Sequence, residues 1–184
     1  MDATVLLVMD VQRGIVERFS GDGGYLPRLA GAIGAARAAG IPVIYVVVGF
    51  RPGYPEVSAR NKSFSTVASA GRFAAGDPSA EIHPAVAPGD GDLIVTKRRV
   101  SAFAGSDLDV LLRGLGAGTL VLAGIATSGV VLSTLRQAAD LDYRLTVLSD
   151  ACADRDAEVH RVLTEKIFPR QALVTTTDEW IQAL

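Results

Sequence analysis

The sequence predicts one α/β domain built on a mostly parallel six-stranded sheet with helices on both faces. Short apolar runs rich in β-branched residues alternate with segments of helical periodicity along the whole chain. Several runs are apolar without interruption, which is typical of strands covered on both faces. Of the 184 residues, 49% are hydrophobic, which suffices for one buried core, so we interpret 1–184 as a single domain.

Apolar content and length predict six strands, joined by right-handed crossovers. The predicted strands are Thr4–Met9, Pro42–Val48, Asp92–Thr96, Leu120–Leu122, Tyr143–Leu148 and Ala172–Thr175. The predicted helices are Leu26–Ala39, Asp107–Leu115, a central helix that Thr127 or Ser128 caps, Asp156–Ile167 and Asp178–Leu184. Gly40 is expected to end the first helix and Thr177 to cap the last one.

The connection from Gly49 to Gly91 is long and holds five of the eight prolines. A connection of this length in a compact domain usually serves as a functional loop or a lid. Phe50, Arg51 and Tyr54, near its start, could place aromatic rings and a guanidinium over a pocket. The same pattern also fits a loop in which Phe50 and Tyr54 only pack onto the body of the domain.

Composition argues against several partners and compartments. The 18 basic residues balance 20 acidic ones without forming a positive patch, so nucleic acid is not an expected partner. No apolar run reaches the roughly 18 residues of a membrane span, and no signal peptide is visible. The single Cys152 excludes an internal disulfide and suits a reducing compartment. We therefore expect a soluble cytoplasmic protein.

Neither a metal nor a nucleotide cofactor is expected. His83 and His160 are the two histidines, and they lie far apart without a metal-ligand motif around them. The glycines of 114–118 precede a predicted strand, whereas a dinucleotide-binding loop follows one.

Three positions follow different strands at their carboxyl ends. Asp10 follows the first strand, Lys97 ends the third, and the turn around Ser128–Val130 follows the fourth. The carboxyl ends of parallel strands lie along one edge of a sheet, so the three could meet in one crevice. An acid and a base placed together shift each other's pKa and suit proton transfer. Taken alone, Asp10 also fits a helix cap or a turn.

Three segments together resemble the isochorismatase-like hydrolases, a superfamily that includes nicotinamidases, N-carbamoyl amidases and isochorismatases. They are LLVMDVQRGIV, GDLIVTKRRVSAF and LVLAGIATSGVVLSTLRQAADLDYRLTVLSDACAD, in the family's order and spacing. The resemblance implies a Rossmann-like three-layer αβα sandwich that assembles as a dimer or larger homo-oligomer. It implies Asp10 as the acid/base with Lys97 beside it. It also implies a cis peptide between Ile125 and Ala126 in an oxyanion-binding turn that includes Gly129.

The chain departs from the family's motif at the nucleophile. Counting from Thr127, the position of the family's catalytic Cys holds Val130, which has no nucleophilic atom. Cys152 lies after the next predicted strand, where a buried structural thiol is the commoner interpretation. We expect Val130 to face the crevice, beside helix N-terminal N–H groups that are unpaired and could hold a carboxylate.

Two functional hypotheses follow from this departure. The first is a hydrolase that uses Asp10 and Lys97, without a covalent intermediate, on a small vinyl-ether or carboxylate-bearing substrate. Gln12, Phe50, Arg51 and Tyr54 are its expected substrate contacts. The alternative is a non-catalytic member of the family that binds a small molecule or acts as a scaffold. An idle buried carboxylate–ammonium pair has a desolvation cost, which favours the enzyme.

Overall fold

Six strands form the centre of the computed structural model, which describes residues 2–19 and 23–184. They are β1 (Ala3–Met9), β2 (Val43–Val48), β3 (Leu93–Lys97), β4 (Ala117–Ile125), β5 (Arg144–Ala153) and β6 (Leu173–Thr175). All neighbouring pairs are parallel, in the order β3-β2-β1-β4-β5-β6. The predicted α/β architecture is therefore confirmed.

The described helices cover both faces of this sheet. They are α1 (Arg13–Val16), α2 (Tyr25–Ala38), α3 (Lys62–Ser69), α4 (Leu108–Gly114), α5 (Leu132–Asp140), α6 (Ala157–Val162) and α7 (Thr177–Gln182). Short 3₁₀ or π turns occur at Pro78–Ala80, Pro84–Val86, Thr127–Val131, Leu163–Ile167 and Phe168–Arg170. None of the described helices is long and apolar enough to cross a membrane.

The central strand β1 is apolar without interruption because both of its faces are covered. Val5, Leu7 and Met9 pack against the layer that contains α4 and α5, and Leu6 and Val8 pack against the layer that contains α2. Successive side chains of a strand point to opposite faces, so a strand covered twice has no solvent-facing position. This arrangement forms the three layers of the fold.

The fourth and fifth strands are longer than predicted. β5 runs on through Cys152, which therefore lies within a strand and not after one. In the parallel register Leu122 pairs with Val147 and Gly124 pairs with Cys152, so 148–151 stand opposite a single residue of β4. Such a bulge bends a strand near its end and redirects its side chains. The segment after Leu148 contains polar residues, so a hydrophobicity pattern does not predict that β5 continues through it.

The last helix is capped one residue earlier than predicted. The Thr176 hydroxyl accepts a hydrogen bond from the Glu179 amide, and the Glu179 carboxylate accepts one from the Thr176 amide at 2.9 Å. This reciprocal capping box requires a Glu three residues after the cap, and Thr176 meets that spacing. The Thr177 hydroxyl instead donates to Asp150 at 2.8 Å.

The long connection after β2 is more ordered than an irregular loop. It contains α3, whose cap is Asn61, with its side-chain oxygen accepting from the Phe64 amide at 3.1 Å. Phe50, Phe64 and Phe73 form a small apolar cluster with Val48 at the end of β2. The connection is thereby fixed onto the carboxyl edge of the sheet.

Candidate active site

Asp10 and Lys97 meet at the carboxyl edge of the sheet. Lys97 Nζ lies 2.9 Å from Asp10 Oδ2, and the two side chains are 2% and 10% exposed. Lys97 stands in register with Val48 on β2, so its long side chain reaches across that strand to the end of β1. Its ammonium also donates to the Arg99 carbonyl at 3.0 Å. The edge of the parallel sheet brings the two residues together.

The backbone of Asp10 turns sharply out of β1. Its φ is +56°, a left-handed conformation that Asp tolerates better than most residues. Its amide still donates to the Val46 carbonyl at 2.8 Å. The main chain of β1 is therefore hydrogen-bonded to β2 up to this residue.

The carboxyl group of Asp10 is only partly satisfied. Burial raises its pKa, and the nearby Lys97 ammonium opposes that rise. Oδ1 is buried and has no hydrogen-bond partner within the described part of the chain. A carboxyl with a raised pKa and a free oxygen is suited to giving or taking a proton.

The pair opens into a small apolar cavity of about 230 Å³, called the inner cavity below. Val130 lines this cavity together with Asp10 and Lys97. The remaining lining residues are Ile15, Phe19, Val48, Phe64, Val67, Phe73, Val100, Ile125, Ala126 and Gly129. The cavity therefore combines one acid/base pair with hydrocarbon walls.

The central turn leads from β4 into α5. The peptide bond between Ile125 and Ala126 is cis, as the resemblance implied. Gly124 has a φ of +147°, and a Cβ there would lie 2.2 Å from the Met9 carbonyl oxygen. A side chain at this position would separate β4 from β1, so glycine permits their close approach. Residues Thr127–Val131 then form a π turn before the α-helix starts at Leu132.

The structure contradicts the expected capping of this turn. Neither Thr127 nor Ser128 caps the helix through its side chain. The Ser128 amide instead donates to Asp154 at 2.7 Å, and the Gly129 and Val131 amides donate to the Ala126 carbonyl at 3.1 and 3.3 Å. These three N–H groups are not available to a ligand. Asp154 supplies the acceptor from beyond the end of β5, which local sequence could not indicate.

Comparison with known proteins agrees with this fold. A model of the isochorismatase domain matches residues 4–179. The chain belongs to the isochorismatase family. It is 34% identical over 179 residues to YwoC, an isochorismatase family protein of Bacillus subtilis (strain 168), covering 97% of this chain and 93% of that protein.

Other similar proteins carry the names of hydrolases, and two of them are named as an amidohydrolase and an amidase. The ureidoacrylate amidohydrolase RutB of Methylobacterium radiotolerans is 35% identical over 187 residues, which cover 89% of this chain and 72% of that protein. A cysteine hydrolase from Pseudomonas syringae pv. phaseolicola 1448A superposes with a TM-score of 0.90 at 28% identity, covering 97% and 91% of the two chains. N-carbamoylsarcosine amidase from Thermoplasma acidophilum superposes with a TM-score of 0.78 at 26% sequence identity, covering 96% of this chain and 97% of that chain. This protein is accordingly an isochorismatase-family hydrolase.

Gln12 of this hydrolase lies inside the scaffold. Its side-chain amide donates to the carbonyls of Val48 and Ala80 at 2.9 and 2.7 Å, and its oxygen accepts from the Val48 amide at 2.9 Å. The residue is fully buried. Both of its amide hydrogens are used, so Gln12 connects three chain segments and does not fit the expected substrate contact.

Phe50, Arg51 and Tyr54 also lie outside the lining of the inner cavity. Phe50 and Arg51 line a separate cavity of about 560 Å³, called the outer cavity below. The Arg51 guanidinium is 2.6 Å from Glu56, and the Tyr54 hydroxyl donates to the Arg72 carbonyl at 3.0 Å. These contacts favour the alternative in which Phe50 and Tyr54 pack the loop onto the domain.

Sequence reasoning missed a buried contact behind the central turn. The Thr127 hydroxyl lies 2.8 Å from His160 Nδ1 on α6. Burial lowers the pKa of His160, and the Asp154 carboxylate opposes this shift. No local motif marks His160, because its partner lies 33 positions earlier in the chain. The contact fixes the turn that carries Val130.

Cys152 lies in the apolar core between the sheet and its helices. It is 5% exposed, and its Sγ is 3.9 Å from the Leu122 carbonyl oxygen. Burial raises the pKa of the Cys152 thiol to about 12. A thiol with that pKa is almost entirely protonated at neutral pH and is a poor nucleophile. It does not line the inner cavity.

Proposed function

We propose that this hydrolase acts on a small neutral substrate by acid/base catalysis, without a covalent cysteine intermediate. Asp10 and Lys97 are the catalytic residues in this proposal. One observation carries it: Asp10, paired with Lys97 at 2.9 Å, lines an apolar cavity at the edge of the sheet. Its Oδ1 is buried and has no hydrogen-bond partner among the described residues, so the carboxyl group keeps one unused acceptor.

Val130 is the second support for a non-covalent route. It follows Thr127 at the family's spacing and lines the inner cavity beside Asp10. None of the described residues that line this cavity carries a thiol or a hydroxyl group. A reaction through an acyl-enzyme at position 130 therefore has no attacking atom.

A vinyl ether suits this site as a substrate class. Protonated Asp10 donates its proton to the terminal carbon of the enol ether, which leaves an oxocarbenium ion. Water adds to that ion and returns a proton to Asp10, and the resulting hemiketal breaks into an alcohol and a ketone. The Lys97 ammonium stabilises the carboxylate that exists between the two proton transfers.

The geometry gives less support to a carboxylate-bearing substrate. Three of the amides expected to be unpaired, those of Ser128, Gly129 and Val131, donate to Asp154 or to the Ala126 carbonyl. Among the described lining residues Lys97 is the cation, and its ammonium already contacts Asp10 and the Arg99 carbonyl. An anionic group in the cavity would have to share that ammonium with them, and its burial would carry a desolvation cost. We therefore place neutral compounds first.

A substrate panel tests this proposal. Neutral vinyl ethers, carboxamides, ureido compounds and carboxylate-bearing analogues of each are incubated with the wild type and with Asp10→Asn. Turnover of a vinyl ether that Asp10→Asn abolishes supports the proposal. Turnover of an amide through an acyl adduct, detected by intact mass, contradicts it. Binding of panel compounds without any turnover would instead support the non-catalytic alternative.

We also propose that the hydrolase is a homo-oligomer, a dimer or larger, since the resemblance to the family implies it. Light scattering coupled to gel filtration measures this directly. A monomeric mass at micromolar concentration would contradict it.

A further inference from the structure

The inner and outer cavities share part of their walls. Val48 and Phe73 line both of them. Residues that border two cavities lie between them, so these two residues separate a space of about 230 Å³ from one of about 560 Å³. They are called the barrier below.

Val48 is the fixed half of this barrier. It is the last residue of β2, and both its amide and its carbonyl are hydrogen-bonded to the buried Gln12 side chain. Moving Val48 would break these bonds inside the scaffold. The main chain of Val48 therefore resists displacement, and Phe73, which has the larger side chain, is the residue whose truncation should open the barrier furthest.

Phe73 is the second residue of the barrier, and a local turn of the main chain positions it. It lies outside the helices, after α3, and has a φ of +59°, a conformation that bulky side chains rarely adopt. Its amide donates to Asp77 at 2.7 Å, and its carbonyl accepts from the Phe50 amide at 2.8 Å. Both hydrogen bonds oppose relaxation of the turn. A strained residue that its surroundings hold in place usually serves a function.

The two cavities differ in chemistry. The inner cavity has hydrocarbon walls and the Asp10–Lys97 pair. The outer cavity is bordered by charged residues of both signs, which are Arg51, Arg98, Asp77 and Glu81. A chain that crossed the barrier would leave an apolar space for a polar one.

We propose that Phe73 determines substrate length: it separates the inner cavity from the outer one, so the hydrolase selects short, neutral, largely apolar molecules with one polar group for Asp10. The outer cavity is then a second compartment that longer substrates reach only when this ring is removed. The inference depends on the proposed function solely in placing the reaction at Asp10. The separation of the two cavities is independent of any reaction.

Binding of a homologous series tests the barrier without catalysis. The probes are straight-chain primary alcohols from ethanol to decanol, whose hydroxyl can pair with Asp10 and which have no bond for a hydrolase to cleave. Calorimetry gives the affinity, and amide chemical shifts of Gly129 and Gly76 report on the inner and outer cavities respectively. In the wild type, affinity should rise about fourfold per methylene and then stop at the length that fills the inner cavity. Only the Gly129 amide should shift.

Phe73→Ala should remove this limit. Affinity should continue to rise beyond the wild-type length, and long alcohols should shift the Gly76 amide as well. The matched control is Phe64→Ala, which deletes the same atoms from a ring that lines the inner cavity alone. It should extend the limit slightly without moving the Gly76 signal. Phe73→Leu keeps an apolar side chain and provides an intermediate limit if the alanine variant does not fold.

Three outcomes would overturn the proposal. One is a wild type in which long alcohols already shift Gly76, because the cavities would then be continuous. The second is an unchanged length limit in folded Phe73→Ala or Phe73→Leu. The third is identical behaviour of Phe73→Ala and Phe64→Ala. Failure of the acid/base mechanism appears separately, as turnover that survives Asp10→Asn.

Discussion

The surroundings of Val130 and of Cys152 differ sharply although both positions lie near the ends of neighbouring strands. Val130 borders a cavity that contains a buried acid/base pair. Cys152 pairs with Gly124 across the sheet, yet its sulfur lies in the core with a pKa of about 12. The acid/base pair thus has no thiol beside it, and the thiol has no cavity. Residue type alone does not make a catalytic centre, because access and local electrostatics decide reactivity.

The largest expected effect comes from placing a thiol in the first region. In the Cys152→Ala background, Val130→Cys should be alkylated by iodoacetamide at pH 8 on the order of a thousandfold faster than wild-type Cys152, whose raised pKa leaves little thiolate. Intact-mass time courses measure both rates. Equal rates would show that Cys152 is as accessible as the cavity and would remove the contrast.

Removing the acid should have the next largest effect. Asp10→Asn keeps the shape and loses the transferable proton, so turnover of a substrate found in the panel should fall about a hundredfold or more. The control is Asp2→Asn, which changes an exposed partner of Arg144 far from the cavity. Circular dichroism verifies folding of both variants. A folded Asp10→Asn with unchanged kcat would exclude Asp10 from the mechanism.

Lys97 should control how stability depends on pH. The folded-state pKa of Asp10 lies above its unfolded value, so the free energy of unfolding falls as pH rises from the unfolded to the folded pKa. Lys97 lowers that folded pKa, so Lys97→Met should extend the fall to higher pH, by about 1.4 kcal/mol per added pKa unit. Urea unfolding from pH 4 to 8 measures the slope.

The matched comparison for this measurement is Asp10→Asn combined with Lys97→Met. It removes the titrating carboxyl, so the added slope should disappear. If the slope persists in the double variant, another group is responsible for it.

The smallest effect is expected in the second region. Cys152→Ala should leave kcat and KM unchanged and lower the free energy of unfolding by about 1 kcal/mol, since it removes one buried atom from the core. Enzyme assays and urea unfolding measure the two quantities. Loss of turnover in the folded variant would make Cys152 a relocated nucleophile and would refute the non-covalent route.

The sequence by itself determined which segments are strands and which polar residues follow the strand ends. Uninterrupted apolar runs identified β1 and β2, and the end of each strand could be located to within a few residues. Because parallel strands present their carboxyl ends at one edge, the sequence indicated that Asp10 and Lys97 could meet in one crevice, and the 2.9 Å contact between them is what the structure added. The resemblance to the family also implied the cis peptide between Ile125 and Ala126, which the structure contains.

Only the tertiary structure decided what each of these positions contacts. Asp154 accepts a hydrogen bond from the Ser128 amide, and His160 is hydrogen-bonded to the Thr127 hydroxyl. The bulge near the end of β5 and the packing of α6 bring Asp154 and His160 to the central turn. Gln12 is a scaffold residue because its side-chain amide pairs with both the amide and the carbonyl of Val48. Contacts between residues tens of positions apart depend on how the layers of the fold pack. A local pattern of apolar and polar residues does not predict them.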